Sequence, residues 1–591
     1  MKTRDEIPAN LKWNFADLFA TPGDWEKAYR ECEETIPSLS ALKGTLGNSA
    51  EALFNAYETM YALEEKFELV FCYAFFSKTI DGGDTAALTM VERVMMLNVK
   101  LASATAFFTP ELMEISEEKL NEFMNYTPLK KYAHIIDDAT RLRAHILDEK
   151  SEAILAKLGK IADTPSNIYD MFTNVEMELP EITGEDGKPV KLTSGTFGMY
   201  RESKKREVRE SAFRGMFGTY GKYNGTFASI YAGSVKQDNM LADIRGYKSA
   251  REAALSQNNV PESVYDSLIE AIHKAIPKMS KYLALRKKAL GADKIDMFDL
   301  YTPMIADIEY EVKYEDACEL VLKAVAPLGE DYVNVLRRAY KENWIDVYET
   351  PGKESGAFSA GVYNSHPFVK LNYTDTLDDA FTLAHELGHS MHSYLSSKKQ
   401  DYANHDYKIL VAEVASTCNE VLLTKYLLSV EKDKSRRAYI LNHFLEGFRT
   451  TVFRQTLFAE FEHKAHEMDA SGTPLTADSL NKLYENLVRE YYRDAEFCEE
   501  IKYEWSYIPH FYNAFYVFQY ATGFSSAVAI ISNILKTGDP APYLEFLSSG
   551  GSDYPINELK IAGIDLTSPS VVENAMKVFE ETIDELAEII G

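Results

Sequence analysis

The sequence predicts a mostly α protein: a large helical body with a small β-sheet beside one chemically distinctive helix. Three observations carry this. Apolar residues recur at three- and four-residue spacing along most of the 591 residues. Alternating, strand-like patterns are confined to two short places. The hydrophobic content of 46% over this length is more than one small core needs, so two or more domains are expected.

The helical spacing is clear from Glu51 to Phe76 and from Ala86 to Phe108, with the breaker Asp81-Gly82-Gly83-Asp84 between them. A first β signal comes from Val175 to Leu179 and Val190 to Leu192. These flank Gly184-Glu185-Asp186-Gly187 and predict a hairpin. A domain boundary is expected there, dividing the chain into an N-terminal helical domain (1–195) and a second domain (196–591). Helical spacing returns in Ser203 to Phe217 and Pro261 to Ala289. An irregular stretch from Pro351 to Tyr373 holds Gly352, Gly356 and Gly361 and ends in the alternating Pro367 to Tyr373, a predicted strand. Thr376-Leu377-Asp378-Asp379 then has the Ser/Thr-x-x-Asp/Glu form that starts a helix.

That helix carries His385-Glu386-Leu387-Gly388-His389. Two histidines four residues apart fall on one helix face, about 40° apart in projection, so both imidazoles can reach one ion. Glu386 is turned away by about 100° from His385 and about 60° from His389. It flanks such an ion without having to bind it, where a general base belongs. A bound Zn2+ lowers the pKa of its water toward neutrality, and the carboxylate can take that water's proton as it attacks a carbonyl.

A catalytic zinc site needs a third protein ligand. Glu413 lies among Val411, Ala412, Val414 and Ala415 on the next apolar helical segment, where a carboxylate is costly unless paired or metal-bound. Glu420, two turns later, could orient a histidine. His392 follows His389 by three residues and could be a ligand or a neighbour, but three ligands from one straight helix are awkward at about 5 Å of rise per turn. Glu413 is therefore favoured as the ligand. A late segment, His510 to Gly523, places Tyr512, Tyr516 and Tyr520 in an i, i+4, i+8 column. Their hydroxyls, with His510, are suitable donors to an oxyanion.

The bulk properties exclude other classes. Lys plus Arg is 63 and Asp plus Glu is 91, a net charge of −28, which repels phosphate backbones and anionic lipid and argues against nucleic acid or membrane partners. Five scattered cysteines, with no Cys-x-x-Cys pair, fit reduced thiols. The absence of a signal-like N-terminus and of a long apolar run gives an expectation of a cytoplasmic protein.

Three blocks resemble one family: Phe381 to His392, Ala412 to Glu420, and His510 to Gly523. They are similar to the oligoendopeptidase F branch of the thimet-oligopeptidase-like zinc peptidases. Softer likenesses lie at Arg245-Gly246-Tyr247, Gly356 to Gly361 and Ser549 to Ser552. The resemblance implies a helical zincin-type body with a deep substrate channel, a lid-like N-terminal domain and a catalytic second domain. It implies one Zn2+ held by His385, His389 and Glu413, with Glu386 as base. His510 and Tyr516 become donors on the oxyanion side, with Tyr520 or its neighbour Gln519 at a second late tyrosine position. The same resemblance gives Gly356, Ala357, Phe358, Gly361 and Tyr363 to substrate binding, and oligopeptides, cut at internal bonds, as the substrates. A zinc carboxypeptidase of similar architecture is the alternative. It would need a cation for the substrate's terminal carboxylate, for which Arg449, Arg454 and Arg493 are available. A scaffold that had lost its chemistry would show a broken base or ligand, and none is broken.

Overall fold

A computed structural model describes residues 2–305 and 310–590. It is 72% helical, with one two-stranded and one three-stranded sheet, as the periodicity predicts. The elements that matter below are, in chain order, α1 (Pro22–Leu39), α2 (Ala50–Ile80), α3 (Thr85–Thr105), β1 (Glu181–Thr183), β2 (Pro189–Lys191), α4 (Arg206–Lys222) and α5 (Glu262–Ala289). They continue with β3 (Ile345–Tyr348), β4 (Phe358–Ala360), β5 (Phe368–Tyr373), α6 (Leu377–Lys399), α7 (Ile409–Val430), α8 (Arg454–Ala470), α9 (Phe518–Thr537) and α10 (Ser570–Ile590).

The residues group into two compact units, each assembled from three stretches: 1–144, 310–426 and 530–563 in the first, 145–309, 427–529 and 564–591 in the second. A single cut at residue 195 is not among these boundaries. The reason is local packing. The hairpin β1–β2 lies on α4, where a Cβ added to Gly215 would meet Pro180, Ile182 and Leu192 at 3.2–3.5 Å, so the hairpin joins the helices that follow it. Its first strand also begins later than expected: Phe172–Glu176 is a π-helical turn, and Val175 is 71% exposed. Pairing starts at Glu181 opposite Lys191.

In the first unit, α1, α2 and α3 pack around Trp25, Leu53, Tyr57, Val70, Val94 and Leu97. The three-stranded sheet has the order β3-β5-β4, with β3 parallel and β4 antiparallel to β5. The Trp13 indole N–H donates to the Trp344 and Val369 carbonyls at 3.0 and 2.9 Å, tying the chain's start to the sheet. β5 runs into α6 through Thr376, whose hydroxyl accepts the Asp379 N–H while Asp379 accepts the Thr376 N–H, the expected capping box. Ala380, Leu383, Ala384, Leu387 and Met391 are all fully buried. Each Leu or Met there contributes about 1.5–3 kcal/mol by leaving water, which fixes the rotation of α6 and so the direction of its histidines. In the second unit, α5 packs along α10, with Tyr265, Ile272, Met279, Ala575, Met576 and Phe579 in the core.

Candidate metal centre

α6 and α7 cross unusually closely. A Cβ on Gly388 would lie 2.5 Å from the Ser416 Cα and 2.6 Å from the Ala415 carbonyl oxygen, so only glycine permits the approach. Asn419, fully buried on α7, donates to the Ala384 carbonyl at 3.1 Å and accepts from the Tyr332 hydroxyl at 3.0 Å. This clamp lies one residue before His385. Sequence reading passed over Asn419, although an Asn inside an apolar helix is a signal for a satisfied buried amide.

The crossing brings His385, His389 and Glu413 together. The two Nε2 atoms are 3.2 Å apart, and Glu413 Oε2 lies 3.6 Å from His385 Nε2 and 3.7 Å from His389 Nε2. Those last distances are too long for hydrogen bonds. They suit three atoms sharing an ion, because ligands about 2.0–2.1 Å from a tetrahedral zinc are about 3.3 Å from one another. His385 Nδ1 is bonded to Glu420, and His389 has a backbone hydrogen bond with Ala412. Each ring therefore directs its remaining nitrogen to the centre.

The charges agree. Burial opposes a proton on His385, but the Glu420 bond and the Glu386 and Glu413 carboxylates outweigh it and push its pKa up to about 9. Burial, with the charge on His385, holds His389 down at about 3. A centre whose carboxylates draw a proton onto one histidine has the excess negative charge that a divalent cation would neutralise. Glu386, 7% exposed, is pushed up to about 7 by burial, the range in which a carboxylate exchanges protons at neutral pH.

His392 does not join the three. Its ring stacks on Tyr407 at 3.5 Å and 9° and lies 5.4 Å from Phe546, and neither nitrogen has a hydrogen-bond partner among the described residues. The rise of α6 carries it past the centre.

β4 is the outer strand of its sheet, so one edge of Phe358–Ala360 has no strand partner among the described residues. Gly356 precedes it with φ +75°, a conformation suited to glycine. Ala357 follows directly. Asn372 donates to the Gly356 carbonyl, and Lys370 to those of Glu354 and Ser355, all at 2.9–3.0 Å. Gly361 lets Ser393 approach, since a Cβ there would meet the Ser393 Cβ at 2.6 Å. Tyr363 has internal partners: its hydroxyl donates to the Gln400 carbonyl, and its ring meets Tyr402 and His405.

In the second unit, His510, Tyr516 and Tyr520 gather. Ring centres are 6.4 Å apart for His510 and Tyr516, 5.4 Å for Tyr516 and Tyr520, and 6.1 Å for His510 and Tyr520. The expected helical column is broken. Pro509–Tyr512 is 3-10, Phe515 has φ +58°, and α9 starts only at Phe518. Tyr512 turns instead to Tyr169 and Tyr231. Of the three cations available to a carboxypeptidase, Arg449 and Arg454 are already paired with Glu446 and Glu504 at 2.6 and 2.8 Å, whereas Arg493 is half exposed, 3.8 Å from Asp494, and donates to the Ser280 hydroxyl at 3.3 Å.

Residues 199–578 match the profile of "Peptidase family M3", and residues 111–178 that of "Oligopeptidase F". "Oligopeptidase PepF" of Bacillus subtilis is 44% identical over 99% of this chain and 88% of its own length. An "Oligoendopeptidase F homolog" of Lactococcus lactis is 39% identical over 100% of this chain and 99% of its own. The crystal structure of oligoendopeptidase-F from Enterococcus faecium superposes with a TM-score of 0.73 at 38% identity, covering 96% and 99% of the two chains. A crystal structure from Chlamydophila abortus gives 0.95 at 32% identity over the whole of both.

Proposed function

Because this chain belongs to peptidase family M3, with the oligoendopeptidase F group, and is a metallo-endopeptidase, we propose that it is a zinc enzyme that cuts short oligopeptides at internal bonds. The observation that carries the reading is the triangle of His385 Nε2, His389 Nε2 and Glu413 Oε2, with edges of 3.2–3.7 Å. Its donors are the nitrogen and carboxylate oxygen that zinc prefers. Zinc, when bound, supplies an acidified water and polarises the scissile carbonyl.

The remaining steps belong to the chain. Glu420 keeps the proton of His385 on Nδ1, so that Nε2 offers a lone pair. Glu386 takes the proton of the attacking water and returns it to the departing amine, a transfer favoured by its raised pKa. His510 and Tyr516 donate to the carbonyl oxygen as it gains charge, with Tyr520 packed on both. The free edge of β4 pairs with the extended substrate backbone, which orders the peptide without reading its side chains.

Product mapping on one internally quenched peptide tests this. Internal cuts are expected; stepwise release from the C-terminus would replace the endopeptidase reading with the carboxypeptidase one, and no turnover with zinc bound would remove both.

A further inference from the structure

Glu462 lies on α8, and its side chain is fully buried. A carboxyl so placed is costly unless it has a partner. Its Oε2 accepts the backbone N–H of Phe515 at 2.8 Å. Among the described residues the other oxygen has only a long contact, 3.4 Å, from the Tyr265 hydroxyl, whose shorter bond of 2.6 Å goes to the Ala459 carbonyl.

Phe515 is an unusual partner. Its φ of +58° is left-handed, a conformation a residue with a Cβ adopts only when its surroundings impose it. Three things do so: the Glu462 bond, the His466 ring at 4.7 Å and the Tyr265 ring at 5.9 Å. His466 is itself anchored, through Nδ1 to the Glu462 carbonyl and through Nε2 to Asp238. The corner at Phe515 lies between the 3-10 turn Pro509–Tyr512 that carries His510 and α9 with Tyr520, and it precedes Tyr516, whose ring lies 10° from parallel to that of His510.

We propose that Glu462 is a positioning residue: its bond to the Phe515 N–H sets the corner that holds His510 and Tyr516 in their working orientation. This rests on the reading of those two as donors to the reacting carbonyl. Glu462 touches neither substrate nor metal and acts through the backbone. Burial pushes its carboxyl up to about 8, so it is largely protonated at neutral pH, and an amide can take over the acceptor role.

The test compares zinc-loaded, full-length variants on an internally quenched peptide. Glu462→Gln keeps an acceptor at the same reach, and its kcat should stay within about threefold of wild type. Glu462→Met matches the shape without the acceptor, and Glu462→Asp withdraws the carboxyl by one methylene. Each should lower kcat about 10–100-fold, as misplacement of reacting groups by an ångström does, with KM and zinc content unchanged. If Glu462→Met does not fold, the order of Gln above Asp decides, because a role resting on charge predicts the reverse. Tyr516→Phe is run alongside, with an expected loss of about 10²–10³-fold in kcat. Loss in Tyr516→Phe with normal kcat in Glu462→Met and Glu462→Asp would overturn the positioning role alone. Normal kcat in Tyr516→Phe would overturn the donor reading and the positioning role with it.

Discussion

Gly388→Ala is the smallest change that separates the geometry of the metal centre from its chemistry. The new methyl would lie 2.5 Å from the Ser416 Cα, whereas ordinary contact begins at 3.4 Å. α6 and α7 must therefore part by about 0.9 Å at this point. Overpacking of this kind costs about 1–3 kcal/mol, offset by about 1 kcal/mol gained from replacing glycine in a helix. The net loss of about 0–2 kcal/mol leaves the protein folded. The centre is less forgiving. Glu413 is on α7, three residues before Ser416, while His385 and His389 are on α6. Metal–ligand distances tolerate only about 0.2 Å. We expect zinc affinity to fall by about 10–100-fold, in the range seen when the support around metal ligands is disturbed. A competition titration against a chromophoric chelator reads the affinity, and a thermal melt reads the fold. Wild-type affinity in a folded Gly388→Ala protein would show that the close crossing does not set the ligand triangle.

Glu413→Ala should lose zinc much more strongly than His392→Ala, and equal or reversed losses would make His392 the ligand. Glu460 gives a pH prediction. Burial opposes its charge, but bonds from His273, Lys464 and Tyr491 outweigh that and depress its pKa from 4.5 to about 2. A depressed carboxylate stabilises the fold above pH 4.5, by about 3 kcal/mol for a shift of this size, and that contribution fades as the pH falls from 4.5 toward 2. Glu460→Gln should therefore be clearly less stable than wild type at pH 7, with the gap in melting temperature narrowing below pH 4.5. A gap independent of pH would remove the carboxylate from the explanation. Free peptides of roughly 5–20 residues should be cleaved, and the same sequence held in a rigid loop of a folded carrier should not, since a folded domain cannot present an extended backbone to a strand edge. Comparable rates for the two would refute selection by access.

Much of the candidate metal centre, as a grouping of side chains, was legible because its signals are local. The Thr376–Asp379 box fixes where α6 starts, the four-residue spacing puts His385 and His389 on one face, and the seven-residue step from Glu413 to Glu420 keeps both on one side of α7. What stayed hidden depends on contacts distant in sequence. Phe515 looks like any helical residue until Glu462, 53 positions away, holds it left-handed, and the Tyr512, Tyr516 and Tyr520 column fails there. Val175 to Leu179 carries strand propensity, but the preceding helix runs on into its first two residues and ends only at Glu176. Asn419 needs Ala384 and Tyr332 to reveal its purpose. The compact units each draw on three separated stretches, a grouping that no shift in local composition marks.

The central claim is that His385, His389 and Glu413 hold zinc while Glu386 moves the proton. Glu386→Gln, assayed for zinc content and turnover in one preparation, tests it most directly. We expect one zinc per chain, as in wild type, and a fall in kcat of about 10²–10⁴-fold or more, the usual cost of losing a general base. Near-normal turnover with zinc bound would contradict the role of Glu386, and loss of the zinc would make Glu386 a ligand.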